Sequence, residues 1–163
     1  MTFFSGKFLN FVDVGFWNLN GIFRNIGSSR VSKLDDANFT DNIRHLDIFT
    51  IAESHIGPSQ EGLKIEGFWH FASCRGISAN NRYYGGLVLY AKEVLRPGAK
   101  IIKSDNPDIL WIKLQKSHFG FEKDAYLAFV YIPPENSSYL DRIDKDTTMI
   151  YSELEDDKIY KWN

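Results

Sequence analysis

Val12-Asp13-Val14-Gly15-Phe16-Trp17-Asn18-Leu19-Asn20-Gly21 reads as a strand that ends abruptly in a turn. Val12, Val14 and Phe16 alternate with Asp13 and Gly15, the period of two that a half-buried strand requires. Asn20-Gly21 is a turn signal, so Asn18 stands at the C-terminal end of an apolar strand. The same figure recurs twice. Ile48-Phe49-Thr50-Ile51-Ala52 is a run of buried-strand type that ends at Glu53. A strand over 126–131 ends on Tyr131, just before Pro133-Pro134 removes the N–H groups that a ladder needs.

Working outward, strands are expected over 68–71, 86–90 and 109–114, with a polar segment at 75–84 and a turn-like one at 116–124. The stretch 24–33 contains Gly and Ser but little periodicity and reads as a loop. Thr40 is placed to cap a short helix carrying Ile43 and Leu46. Ser137 or Ser138 is placed to cap another, with Leu140, Ile143, Ile150 and Leu154 on one face. Several β-runs with two helical patterns imply an α+β layered domain.

The 163 residues fit a single domain over 1–163, with its core at about 12–155. A composition of 44% hydrophobic and 25% charged residues excludes a disordered chain, and 13 Phe, eight Tyr and four Trp can fill a core. The net charge of -2 excludes a global basic field. Seven acidic residues against four basic ones lie from Asp141 onward, so polyanion binding is left to local patches away from that tail. One cysteine, Cys74, excludes an internal disulfide framework and a cysteine zinc site, which favours a reducing compartment. No apolar run approaches the roughly 18 residues of a membrane span, and the Phe-rich N-terminus is interrupted by Lys7, Asn10 and Asp13. The expectation is a soluble protein inside the cell, nuclear or cytoplasmic, with no membrane partner.

Asn18, Glu53 and Tyr131 are the residue types that phosphodiester chemistry uses at strand ends. A carboxylate can hold Mg²⁺, which prefers oxygen ligands and keeps several waters. An amide can orient a phosphate oxygen, and a phenol can donate to charge developing on it. Each residue also has a plainer reading. Asn18 and Asn20 are good turn formers before Gly21, Glu53 reads as a solvated carboxylate, and Tyr131 as a half-buried aromatic. His55 reads as a structural hydrogen-bonder. Arg75, Asn80, Arg82 and Tyr83 combine guanidinium, amide and phenol groups suited to nucleic acid, or form a solvated hairpin loop.

The order of these segments resembles the endonuclease/exonuclease/phosphatase (DNase I-like) superfamily. Phe16-Trp17-Asn18-Leu19-Asn20-Gly21-Ile22 is similar to its W-N-x-x-G-[LI] motif, and Ile51-Ala52-Glu53-Ser54-His55-Ile56 to the strand that delivers the metal-binding Glu. Gly85-Gly86-Leu87-Val88-Leu89-Tyr90 resembles the Gly-Gly strand, and Val130-Tyr131-Ile132-Pro133-Pro134 the Y-x-P motif. The E-[ST]-H and Y-I-P-P-E-N-S variants are closest to endonuclease domains of non-LTR (LINE-like) retrotransposons. The resemblance spans about 14–140.

The resemblance implies half of a four-layer α/β/β/α sandwich, with one mixed, mainly antiparallel sheet and helices on one face. It implies a Mg²⁺-dependent DNA endonuclease, with Mn²⁺ as the alternative cation. Glu53 would be the metal ligand, Asn18 and Tyr131 phosphate contacts, with Asn20 and His55 in support. Asn20 stands where some members carry a metal-binding Asp, and an amide is a weaker ligand. The family completes its site with later G-D-x-N and S-D-H motifs, and neither occurs in these 163 residues. The implied chain is therefore an N-terminal half, weak in metal binding and inactive alone, with an inner sheet face bare for self-association or a partner. Two alternatives stand beside it: a non-catalytic module that binds nucleic acid or protein, and a phosphatase or exonuclease branch of the same superfamily.

Overall fold

The structure is a computed structural model that describes residues 11–59, 62–75 and 83–133. The strand β1 (Val14–Asn18) leads through the Asn20-Gly21 turn into β2 (Phe23–Ile26) and β3 (Ser29–Ser32), and then α1 (Ala37–Ile43). Next come β4 (Ile48–Ala52), β5 (Phe68–Ser73), β6 (Leu87–Lys92) and β7 (Ala99–Ile102). The described elements close with β8 (Ile109–Leu114), the one-turn helix α2 (Lys116–Phe119) and β9 (Ala125–Val130). They belong to a compact unit, Met1–Tyr131, which is distinct from Ile132–Asn163. The helix expected after Ser137 lies outside the described residues. No helix among the described residues is long and apolar enough to cross a membrane.

Local chemistry departs from expectation at four places. The segment 24–33 is an antiparallel hairpin, with Ile26 paired to Ser29 around Gly27-Ser28 and Gly27 at φ +60°. A two-residue hairpin loop needs positive φ at its first central residue, which Gly supplies without strain. The alternation was hidden because polar side chains occupy both faces. The cap of α1 is Asp36, whose Oδ1 accepts from the Asn38 N–H at 2.9 Å. Thr40 instead lies inside the helix, where its hydroxyl donates to the carbonyls of Asp36 and Ala37. Within the turn-like segment 116–124, α2 makes a single turn closed by Gly120 at φ +74°. The strand β7 was not anticipated.

The strands form a four-stranded sheet in the order β1-β4-β6-β5, a three-stranded sheet β7-β8-β9, and the β2-β3 hairpin. This corrects the expectation of one sheet. The first is mixed, since β1 and β4 are parallel while β4, β6 and β5 alternate in direction. After β6 the chain turns at Glu93–Leu95 and meets Pro97, which cannot donate to a continuing ladder, so pairing restarts in a second sheet.

Side chains in β4 and β6 alternate between two cores, as the pleat requires. Ile48, Ala52, Leu87, Leu89 and Ala91 face a core that includes Leu110, Ile112, Leu114 and Phe129 of the second sheet. Phe49, Ile51, Val88 and Tyr90 face the opposite core, with Ile43 of α1, Leu46, Leu34 and Leu63. The central strands are therefore covered on both faces, which is why their sequences read as continuous apolar runs. The expected bare inner face is accordingly corrected: the three-stranded sheet lies over it. Among the described residues the edge strand β1 leaves apolar groups open there, with Val14 and Phe16 each 44% exposed. Phe16 stacks on Phe129 with 6.4 Å between centroids and a 6° interplanar angle. Nor are the helices confined to one face, because Phe119 of α2 belongs to the core between the sheets.

Candidate functional site

Parallel pairing of β1 and β4 puts both C-terminal ends on one rim, with Asn18 opposite Ala52. The chains stay laced beyond the strands: Leu19 N–H donates to the Ala52 carbonyl, Gly21 N–H to Glu53, and Ile22 N–H to Ser54. This brings the residue after each strand, and the Asn18–Gly21 turn, against Glu53. From the other sheet, β9 ends at Val130 and the next residue, Tyr131, donates its backbone N–H to the Asp108 carbonyl at 3.0 Å. Its phenol reaches across to donate to Glu53 Oε1. Glu53 and Tyr131, 78 positions apart, thus meet at the rim where Asn18 ends its strand.

Backbone strain collects at the same place. Asn20, Glu53 and His55, at φ +46°, +50° and +53°, are the described non-glycine residues with positive φ. For an L-residue the left-handed region costs roughly 1–2 kcal/mol, and such conformations persist only where surrounding contacts determine them. Here those contacts are the lacing bonds from Gly21 and Ile22 and the bonds His55 N–H to Gly85 O and Ser54 N–H to Gly86 O. Asn18 Oδ1 accepts from Asn20 N–H at 2.9 Å. Asn18 is therefore a turn former as well as a rim residue, with its side-chain nitrogen as the group remaining to donate outward.

Sequence reasoning passed over Lys33. Its ammonium donates to the Leu19 carbonyl at 2.6 Å and to the Asn20 carbonyl at 3.3 Å, placing a cation under the turn. A lysine 14 positions from Leu19 in an aperiodic stretch carried no local signal. His55 lies against Gly21, where an added Cβ would come within 3.2 Å of its Nδ1, and Gly21 itself sits at φ +87°. Burial lowers the His55 pKa from 6.5, the neighbouring Glu53 carboxylate raises it, and Lys33 lowers it. The net direction is down, so the imidazole is neutral at pH 7 and suited to accept a proton or hydrogen bond.

This arrangement predicts that His55 titrates below 6.5 in a histidine NMR titration, because desolvation outweighs Glu53. Glu53→Gln should lower the midpoint further, and Lys33→Met should raise it. The folded state then binds this proton less tightly than the unfolded chain. Stability linked to His55 therefore falls as pH drops from 6.5 toward the folded midpoint. A midpoint at or above 6.5 would contradict the placement.

The residues expected to contact nucleic acid fare differently. Arg75 Nε donates to Asp108 Oδ1 at 2.7 Å, and its terminal nitrogen pairs with Asp108 Oδ2. Each side chain is only 9% exposed, so Arg75 ties the end of β5 to the start of β8 and does not project outward. Ser73 Oγ adds a second tie between the sheets, donating to the Pro107 carbonyl at 3.0 Å. Tyr83 lies over Gly57, where an added Cβ would come within 2.4 Å of its ring. Asn80 and Arg82 lie outside the described residues.

Among the described residues no group of three or more His, Cys, Asp or Glu side chains converges as a metal cage. The donor set fits a hard, largely hydrated cation held by one carboxylate, which is within the habit of Mg²⁺. It does not fit a fully protein-ligated ion. No protein-family model and no curated protein sequence matches this chain.

Proposed function

We propose that this chain carries the metal-holding and phosphate-gripping portion of a Mg²⁺-dependent phosphodiesterase, a DNA endonuclease of retrotransposon-like lineage built on half of a DNase I-like four-layer sandwich. The observation that carries the reading is the meeting of Glu53 and Tyr131 at the rim where Asn18 ends β1. The motif order that resembles the superfamily supports it, and so does the strain concentrated at Asn20, Glu53 and His55.

The residues take the following parts. The Glu53 carboxylate would hold Mg²⁺, which when bound offsets charge on a phosphate oxygen. Asn18 offers its amide N–H to a non-bridging oxygen. Tyr131, a donor to Glu53 in the structure, would turn its phenol toward the same phosphate and grip it from the second sheet. His55, neutral at pH 7, accepts hydrogen bonds beside Glu53 without adding positive charge that would compete for the cation. Lys33 stiffens the Asn18–Gly21 turn through its two carbonyl partners.

Mn²⁺ serves as a paramagnetic probe of the cation site. Titrated into the isotope-labelled protein, it should selectively broaden amide resonances of Glu53, Tyr131 and the Asn18–Gly21 turn, and Glu53→Gln should remove the effect. Broadening confined to other residues, or none, would refute the assignment.

A further inference from the structure

The run 22–33 holds Arg24, Arg30 and Lys33 and no acidic residue, in a chain of net charge -2. The structure folds this run into the hairpin β2-β3 and roots it in the candidate site. At its base Lys33 N–H donates to the Ile22 carbonyl at 2.8 Å, while Ile22 N–H is bonded to Ser54, one residue past Glu53. The Lys33 ammonium binds the Leu19 and Asn20 carbonyls from the same base. Residues 24–30 are exposed, and among the described residues neither arginine is ion-paired.

We infer that this hairpin is a docking arm for the phosphate backbone of a DNA duplex, setting the register of the strand whose phosphate lies at the rim; the inference rests on the proposed phosphodiester reading. Arg30 is held in place by its guanidinium, 4.1 Å from the centroid of the Phe23 ring, and Phe23 in turn packs on Gly62. A guanidinium braced in this way loses less conformational freedom when it meets a phosphate. Arg24 projects from the other face of the ribbon, since it pairs with Val31 whereas Arg30 pairs with Asn25. The two charges can therefore meet phosphates on either side of a groove. Ser28 and Ser29 at the tip add hydroxyl donors of the kind that position a protein on a duplex. Ile26, 54% exposed, offers an apolar contact between them. The carboxylates nearest the hairpin in sequence, Asp35 and Asp36, follow its base, and Asp36 is committed to capping α1.

A duplex is favoured over a single strand because stacking on unpaired bases needs an aromatic face, and the hairpin's own ring is covered by Arg30. The test uses the full chain and a fluorescein-labelled DNA duplex of roughly 20 base pairs, with anisotropy read from about 50 to 200 mM KCl. EDTA is present, so binding does not depend on a cation at Glu53. Arg24→Ala/Arg30→Ala should weaken binding on the order of tens-fold near 0.1 M salt and reduce the salt slope by about 2, as two lost phosphate contacts require. Lys100→Ala/Lys103→Ala removes the same charge from exposed positions elsewhere and should change neither by more than about two-fold. Circular dichroism melts confirm that each variant is folded. Equal losses in both double variants, an unaltered slope in the arginine variant, or no binding by the parent chain would each overturn the inference. Selective Mn²⁺ broadening at Glu53 with no hairpin-dependent binding would overturn the arm alone; the converse would overturn the cation site alone.

Discussion

Asp108→Ala is expected to lower the unfolding free energy by about 3–5 kcal/mol, the cost of leaving one member of a buried ion pair without its partner. The pair is well placed to exact that cost. Arg75 and Asp108 are each 9% exposed and make a two-pronged contact. Gly85 gives the Arg75 side chain room, since a Cβ there would lie 2.6 Å from its Cδ. Removing the carboxylate takes away the two-pronged contact that holds the guanidinium between the end of β5 and the start of β8. Replacing both partners by apolar residues of similar volume, Arg75→Met with Asp108→Leu, should recover most of the loss, since neither charge then remains to be satisfied. Urea melts of the two single variants and the double variant decide this. A single variant within about 1 kcal/mol of the parent would show that the pair is more hydrated than its exposure implies.

The second large effect is catalytic and negative. Supercoiled plasmid incubated with this chain and Mg²⁺ should remain uncut above background, and Glu53→Ala should behave identically. The rim supplies a carboxylate, an amide and a phenol, but G-D-x-N and S-D-H are absent from the 163 residues, and no group of three or more carboxylate, histidine or cysteine side chains stands in for them among the described ones. Phosphodiester hydrolysis needs a group that orients and deprotonates the attacking water; loss of one such positioned acid–base group typically costs about 10²–10⁴ in rate. Vigorous Mg²⁺-dependent nicking that disappears in Glu53→Ala would show that the described rim is enough. Nicking that survives Glu53→Ala would point to a contaminant or to a different centre.

Much of the strand content was legible because pleat and burial act locally. The alternation Val14-Gly15-Phe16 and the apolar runs Ile48–Ala52 and Ile109–Leu114 announce strands whatever they pair with. Pairing itself was less legible. Nothing in 99–102 distinguishes an edge strand from a loop, and nothing in 87–114 says where one sheet ends and another begins. Those outcomes follow from long-range hydrogen bonding. The hairpin at 23–32 was missed for a related reason: its polar side chains suppress the hydrophobic period, and only the Gly27-Ser28 loop marks it. Asp36 displaced Thr40 as the cap of α1 because the cap belongs to the first residue able to bond the open N–H groups, and a carboxylate was available one turn earlier.

The amino-acid order alone determined where strands stop, at Asn18 before its turn, just before Glu53 after an apolar run, and to within one residue at Tyr131 ahead of Pro133-Pro134, since those stops are written in local chemistry. The tertiary structure alone decided that Tyr131 donates to Glu53 from a second sheet, that Lys33 sits beneath the Asn18–Gly21 turn, and that Arg75 is buried against Asp108 instead of facing a ligand. Local sequence sets a residue's conformational preference, whereas the partner of a charge or a phenol is set by which distant strands come to share one rim.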